Sequence, residues 1–301
     1  MSLQWIDTHV HLFTPETAGE NPALINGHLN TAEYYTQQFV ENQPAGTVIV
    51  DFSMAKTSDH VMATLKPLSA AGVPARGIIR GNIEDERTFD WIKYEDIAGI
   101  RLYGKGGMPD FAADKAKWDK LFALLRQQKK HIALFGDPIW LRKMVAALPG
   151  DLPLLLDHLG MPDAQQGINH HDYAQLLADL SARFKSGQPV YFKGPGYRTS
   201  FEPQRTVPFL HKIIDQFGVS QLLLGASDAP FAGPVMETGG KFSGKKNQEV
   251  IGYGSILSYL NRLIELTAEQ SSKSFEMLQM QMLYSNAQKL YQFEEKSAKA
   301  A

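Results

Sequence analysis

Trp5-Ile6-Asp7-Thr8-His9-Val10-His11 is a short apolar start that runs straight into polar side chains at two-residue spacing. On a regular strand Asp7, His9 and His11 share one face. A carboxylate and two imidazoles aimed the same way from a strand end can hold a divalent metal or poise a water. Seven further apolar runs follow, at Thr47 to Phe52, Ala75 to Ile79, Ala98 to Leu102, His131 to Phe135, Leu152 to Leu156, Val190 to Phe192 and Leu222 to Leu224. Between most of them lie stretches whose apolar residues recur near a 3.6 period: His60 to Ala71, Ala116 to Lys129, Ile139 to Ala147, Tyr173 to Phe184 and Arg205 to Phe217.

Strand, helix, strand is therefore the repeating unit, and right-handed crossovers between parallel strands allow an open doubly wound sheet or a closed eightfold barrel. The count of eight and the absence of Gly-x-Gly-x-x-Gly after the first run favour an α/β fold with a single (β/α)8 TIM barrel. No composition break splits the chain, so residues 1–293 are assigned to the barrel, with Val250 to Leu266 and Phe275 to Leu283 as its closing helices and 294–301 as a polar C-terminal tail. The 301 residues include 44% apolar and 21% charged side chains, enough apolar material for a sizeable core. A net charge of −2 gives no overall field to recruit nucleic acid or an anionic membrane. The chain has no cysteine, which excludes disulfides, thiolate ligands and a thiol nucleophile. No apolar run reaches the roughly 18 to 20 residues of a membrane span, and Asp7 interrupts the segment where a signal peptide needs its apolar core; a cytoplasmic protein is expected.

Reactive groups of such a barrel sit at the C-terminal ends of its strands. In this chain the residues there are Asp7, His9 and His11, then Ser53, Arg80, Arg101 with Tyr103, Asp137, Asp157 with His158, Lys193 and Asp228. Convergence of so many polar groups on one crevice is the setting in which burial and mutual charge create acid and base roles. Other motifs fall away. Gly225-Ala226-Ser227-Asp228-Ala229 is no Gly-x-Ser-x-Gly elbow, no His-Glu-x-x-His occurs, and Gly239 to Lys246 ends in Lys where a phosphate loop needs Ser or Thr. That glycine- and lysine-rich stretch reads as a flexible loop, with a basic lid as its functional alternative. His170-His171 point apart and read as a loop or helix start.

Asp7 to His11, Asp157-His158-Leu159-Gly160-Met161-Pro162, Lys193 to Arg198, Ser227-Asp228-Ala229-Pro230 and Asn286 to Tyr291 together resemble the amidohydrolase superfamily, amidohydrolase-related family 2, in the branch of sugar lactonases and 2-pyrone-4,6-dicarboxylate lactonase. The resemblance implies a distorted (β/α)8 barrel and carries four site residues onto His9, His11, His158 and Asp228. It implies that Asp228 is the general base on water and that the histidines polarise a lactone carbonyl. Arg101 and Arg198 resemble arginines that hold substrate carboxylates, and Tyr103 and Ser53 join them as expected substrate contacts. It implies either no required cofactor or one divalent metal, zinc or manganese, among His9, His11, His158 and Asp228. Met161 stands where the pyrone-dicarboxylate lactonase has arginine, and Ala229 and Phe231 stand where it has Trp and His, which points to a monoanionic or sugar lactone instead. The expected partner is a small anionic substrate, with no nucleic acid or membrane and with oligomerisation left open. A metal-dependent decarboxylase of the same superfamily and a non-catalytic ligand-binding barrel are the alternatives.

Overall fold

The structure, a computed structural model, describes residues 4–18, 24–25, 28–39, 42–52, 55, 57–104, 107–229, 236–237, 241–242 and 253–293. Its eight barrel strands are β1 (Asp7–Val10), β2 (Thr47–Val50), β3 (Ala75–Arg80), β4 (Ile97–Tyr103), β5 (His131–Phe135), β6 (Leu154–Leu156), β7 (Val190–Lys193) and β8 (Leu222–Leu223). They pair in sequence order, each parallel to the next. Helices α1 (Ala32–Gln37), α2 (Asp59–Ala70), α3 (Arg87–Trp91), α4 (Lys115–Gln127), α5 (Pro138–Ala147), α6 (His171–Lys185) and α7 (Pro203–Phe217) lie between them. After β8 come α8 (Tyr253–Glu269), α9 (Phe275–Met280) and α10 (Asn286–Tyr291). Among the described residues no helix is long and apolar enough to cross a membrane.

Alternation along the strands separates two apolar layers. Val48, Val50, Ile78, Ala133, Leu155 and Leu223 fill the barrel interior with Ile6 and the plugging Tyr291 and Phe293. Ile49, Ile79, Ile132, Leu134, Leu154 and Leu156 face the helices. Two bulges break that alternation where the chemistry sits. In β1 the step from Asp7 to Val10 is matched by Thr47 to Ile49 in β2, so one residue is extra. Asp7 thus points outward with Trp5, against Tyr35 of α1, while His9 and His11 turn into the barrel mouth. In β4 a second register shift opposite Gly77 and Ile78 sends Arg101 and Tyr103 inward.

The first and last strands do not form a regular ladder. Thr8 N donates to Gly225 O at 2.6 Å, Asp228 N to His9 O at 2.6 Å and His11 N to Ala229 O at 2.8 Å. Below them Ile6 N donates to Leu283 O and Leu224 N to Met282 O, carbonyls of a π-helical turn at Gln281–Ser285 between α9 and α10. The expected helix over Phe275 to Leu283 is therefore interrupted where it hands carbonyls to the seam. The first strand begins at Asp7, although Trp5 O already accepts from Ala45 N and Asp7 N donates to Gly46 O on the β2 side. His170 and His171 begin α6, as expected of that pair. Of Gly239 to Lys246, Lys241 and Phe242 pair with Met236 and Glu237 in a short ribbon. The remainder of that stretch, the tail at 294–301 and residues 250–252 of the expected closing helix lie outside the described residues.

Candidate active site

His9 and His11 lie side by side at the barrel mouth with their Nε2 atoms 3.2 Å apart. Asp228 Oδ1 lies 3.5 Å from His9 Nε2 and 3.7 Å from His11 Nε2, and all three side chains are buried. His11 Nδ1 sits 2.8 Å from Val50 O, a pure acceptor, so Nδ1 carries the hydrogen and Nε2 presents a lone pair in the neutral ring. Three electron-rich atoms thus converge with at most one proton to share among them. Such a convergence accommodates a cation.

His158 comes from a left-handed turn after β6. His158, Leu159, Gly160 and Met161 all have positive φ, between 52° and 78°. For the three non-glycine residues of this run it is strained backbone, costing of order 1–3 kcal/mol each. The turn stacks the His158 ring on that of His9, with centroids 5.2 Å apart. Asp228 is also left-handed, at φ 50°, and its amide bond to His9 O fixes it against β1. His9, His158 and Asp228 each offer one ligating atom, all within 4.8 Å of one another.

Behind this group lies Asp157, whose Oδ2 accepts from Arg101 Nε at 2.7 Å and whose Oδ1 is 2.8 Å from Lys193 Nζ. The same Oδ1 is 4.0 Å from His9 Nδ1. Arg101 Nη1 donates to Asp51 O at 2.8 Å, and Arg101 is almost fully buried. Tyr103 stacks beneath both Arg101 and Arg80 and directs its hydroxyl to Asp51, 2.6 Å from the carbonyl and 2.7 Å from Oδ2. Asp51 Oδ2 also accepts from Arg80 Nε at 3.1 Å. Arg198 Nε donates to Asp228 Oδ2. Both expected anion-binding arginines are therefore engaged by carboxylates of the chain itself. Ser53 lies outside the described residues.

Asp7 does not join the site. Its Oδ1 accepts from Ser227 N and His9 N, its Oδ2 from Tyr35 Oη, and it clips β1 to the last strand end. Asp137 caps α5 through Trp140 N. Two site residues, Asp157 and Lys193, stand at strand ends in the sequence, yet only the fold shows that they pair. Asp51 was hidden inside an apolar run.

Burial depresses the imidazoles. It lowers His9 well below the usual range, with Lys193 and Arg101 adding to the effect, and takes His158 to about 3 despite Asp228 beside it. Burial opposes the Asp157 carboxylate, but Arg101 and Lys193 override it and hold the group at about 2. Burial likewise opposes Asp228, and Arg198, His158 and His11 override it, leaving Asp228 far below an ordinary carboxylate. Neutral imidazoles beside ionised carboxylates are the protonation states a metal requires of its ligands. Nδ1 of His9 and Nδ1 of His158 are buried without a hydrogen-bond partner among the described residues. The donor set of imidazole and carboxylate suits zinc or manganese, so the residues fit a divalent metal.

A family model described as amidohydrolase matches residues 6–239, and the chain belongs to that family. Similar solved structures include a probable 2-pyrone-4,6-dicarboxylic acid hydrolase from Acinetobacter baumannii with citric acid bound, at 18% identity and TM-score 0.74, covering 96% of this chain and 100% of that one. A putative 2-pyrone-4,6-dicarboxylic acid hydrolase from Pseudomonas putida matches at 23% identity and TM-score 0.73, covering 98% and 100%. An amidohydrolase from Burkholderia multivorans with bound zinc matches at 15% identity and TM-score 0.69, covering 97% and 100%. A comparison with curated protein sequences found no match. Fold, family and the buried cluster together support an enzyme of hydrolytic class.

Proposed function

We propose that the protein hydrolyses a small anionic lactone, carboxylated or sugar-derived, with Asp228 as the general base on the attacking water. The observation that carries this reading is the convergence of His9 Nε2, His11 Nε2 and Asp228 Oδ1 within 3.7 Å at the barrel mouth. Asp228 holds the water and takes its proton, while His9, His11 and His158 surround and orient the carbonyl; with Nε2 of His11 a bare lone pair, that ring has no hydrogen to give the carbonyl oxygen. A positioned base contributes typically about 10²- to 10⁴-fold, and preorganised stabilisation of the oxyanion a similar or larger factor. A divalent metal held by His9, His158 and Asp228, with His11 beside them, would supply Lewis-acid polarisation of that carbonyl.

The Arg198 ion pair bears on substrate charge. A carboxylate as acidic as Asp228 is a poor base, and Arg198 is the largest influence opposing the effect of its burial. A substrate carboxylate that recruits Arg198 releases Asp228 to accept a proton. Among the described strand-end arginines, Arg80 and Arg198 are partly exposed, with side chains 24% and 14% exposed, whereas Arg101 is almost fully buried. An anionic lactone is therefore both held and activating, which a neutral one is not.

The reading is tested by following acid release from a panel of sugar lactones and carboxylated lactones, with the protein as purified and after chelation, and metal content measured on the same sample. Turnover of an anionic lactone in preference to neutral ones supports it. Release of carbon dioxide without ring opening assigns the decarboxylase chemistry, and tight binding without turnover assigns a binding barrel.

A further inference from the structure

Asp157 is a buried carboxylate with a cation on each oxygen, Arg101 Nε on Oδ2 and Lys193 Nζ on Oδ1, and both it and Lys193 are fully buried. None of the three side chains carries a step in the hydrolysis outlined above. Two cations on one carboxylate fix its plane and keep it ionised, at the cost of burying three charges. That cost makes sense if the carboxylate serves a third group, and His9 is the third group in reach. Its Nδ1 has no hydrogen-bond partner among the described residues and faces Asp157 Oδ1 at 4.0 Å.

His11 provides the comparison within the same site. Its Nδ1 hydrogen is committed to Val50 O, which leaves Nε2 bare toward the cluster. A metal-ligating histidine generally donates its other ring N–H to a carboxylate or carbonyl, which fixes the tautomer and the ring plane. His11 has its carbonyl, and Asp157 is the corresponding carboxylate for His9.

We propose that Asp157, held by Arg101 and Lys193, is the positioning residue that accepts the Nδ1 hydrogen of His9 and so presents His9 Nε2 to a divalent cation held with His158 and Asp228. The contact at 4.0 Å is longer than a hydrogen bond, and such contacts tighten when the site fills. The inference rests on the reading of His9, His158 and Asp228 as a cation-binding group, and it leaves the identity of the substrate aside.

Zinc ion is the probe, and affinity by chelator competition is the readout, with no turnover involved. Asp157→Asn leaves two buried cations with a neutral partner and can fail to fold. The double variant Asp157→Asn with Lys193→Met keeps the local charge unchanged, because one negative and one positive group are removed together, so the general electrostatic attraction for zinc is retained. Zinc affinity of the folded double variant is expected to fall about 10- to 100-fold. Affinity within about threefold of the parent protein would overturn the proposal. If neither variant folds, the 15N imidazole spectrum of the zinc-loaded parent protein decides. His9 protonated on Nδ1 and ligated through Nε2 supports the assignment, and the opposite pattern refutes it. A parent protein that binds no zinc also refutes it, while hydrolysis is decided separately by the lactone panel.

Discussion

Arg198 closes on Asp228 through Nε and Oδ2, so the proposed base of the reaction is tied to a guanidinium at the mouth of the barrel. Asp228 acts only when ionised, and kcat/KM falls as pH drops through its pKa in the free enzyme. With Arg198 present that acid limb lies well below the ordinary carboxylate range. Arg198→Gln removes the largest influence opposing burial, and the limb is expected to move upward in pH. The same variant should raise KM for a carboxylated lactone about 10- to 100-fold, the worth of one charge-assisted hydrogen bond. A pH–rate profile of both proteins checks the two effects together, and an unmoved acid limb would show that Arg198 does not govern the base.

Asp228→Asn keeps the size of the side chain but removes the proton acceptor. Turnover should fall about 10²- to 10⁴-fold with a smaller change in KM, measured at saturating lactone. The amide of residue 228 still bonds to His9 O, so the fold should persist by circular dichroism. Full activity in this variant would remove Asp228 from the mechanism.

Bound zinc should raise the melting temperature in a concentration-dependent way, because a ligand of the native state adds RT ln(1 + [L]/Kd) to stability. His158→Ala removes one of the three clustered donors and should abolish most of that increment. Thermal melts over a zinc titration, run on both proteins, provide the check; an equal increment in both would place the zinc elsewhere.

Asp7 carries a pH effect on stability rather than on turnover. Burial raises its pKa to about 6 from 3.8, against the pull of its bonds to Ser227, Tyr35 and His9. At Asp7 the folded state therefore binds a proton that the unfolded chain has released between these values, and the contribution of this group to stability falls as pH rises from about 4 to about 6. The loss is bounded at about 3 kcal/mol. Asp7→Asn preserves the acceptor for Ser227 N and His9 N and places an amide donor against Tyr35 Oη, whose own hydrogen can go to Thr47 Oγ1, 3.1 Å away. Buried neutral His9 and His158 push stability the other way over the same range, so the comparison is between the two proteins: urea midpoints across pH 4 to 6 should rise more steeply with pH in this variant than in the parent protein, and equal slopes would remove Asp7 from the effect.

The sequence exposes periodicities and strand-end residues, and through them the barrel was legible; the grouping of His9, His11, His158 and Asp228 came from the resemblance to the amidohydrolases. What it conceals is parity. Simple alternation places Asp7 beside His9 and His11, and a single extra residue in β1 turns Asp7 out to Tyr35 instead. The bulge in β4 likewise decides that Arg101 and Tyr103 point inward, and nothing local in Ala98-Gly99-Ile100 marks it. Partnership is concealed as well. Arg101 and Arg198 resemble anion-binding arginines of the family, and their carboxylate partners in the fold, Asp157 and Asp228, lie 56 and 30 residues away along the chain, out of reach of any local pattern.

Gly225 is under the same kind of long-range constraint. A Cβ there would meet Ile6 O at 2.5 Å and Leu283 O at 3.0 Å, both backbone atoms that cannot rotate away. Those carbonyls belong to the seam, where Leu283 O accepts the Ile6 amide and Gly225 O accepts the Thr8 amide. Gly225→Ala must therefore push β1 from the π-helical turn or push β8 from both. Overpacking of this kind costs about 1–3 kcal/mol, and more where only backbone can yield. Because Thr8 and Asp228 flank the same seam, the displacement should reach His9 and Asp228 and reduce turnover as well as the urea midpoint. A variant with parental stability and parental turnover would mean that the seam is looser than its hydrogen bonds imply.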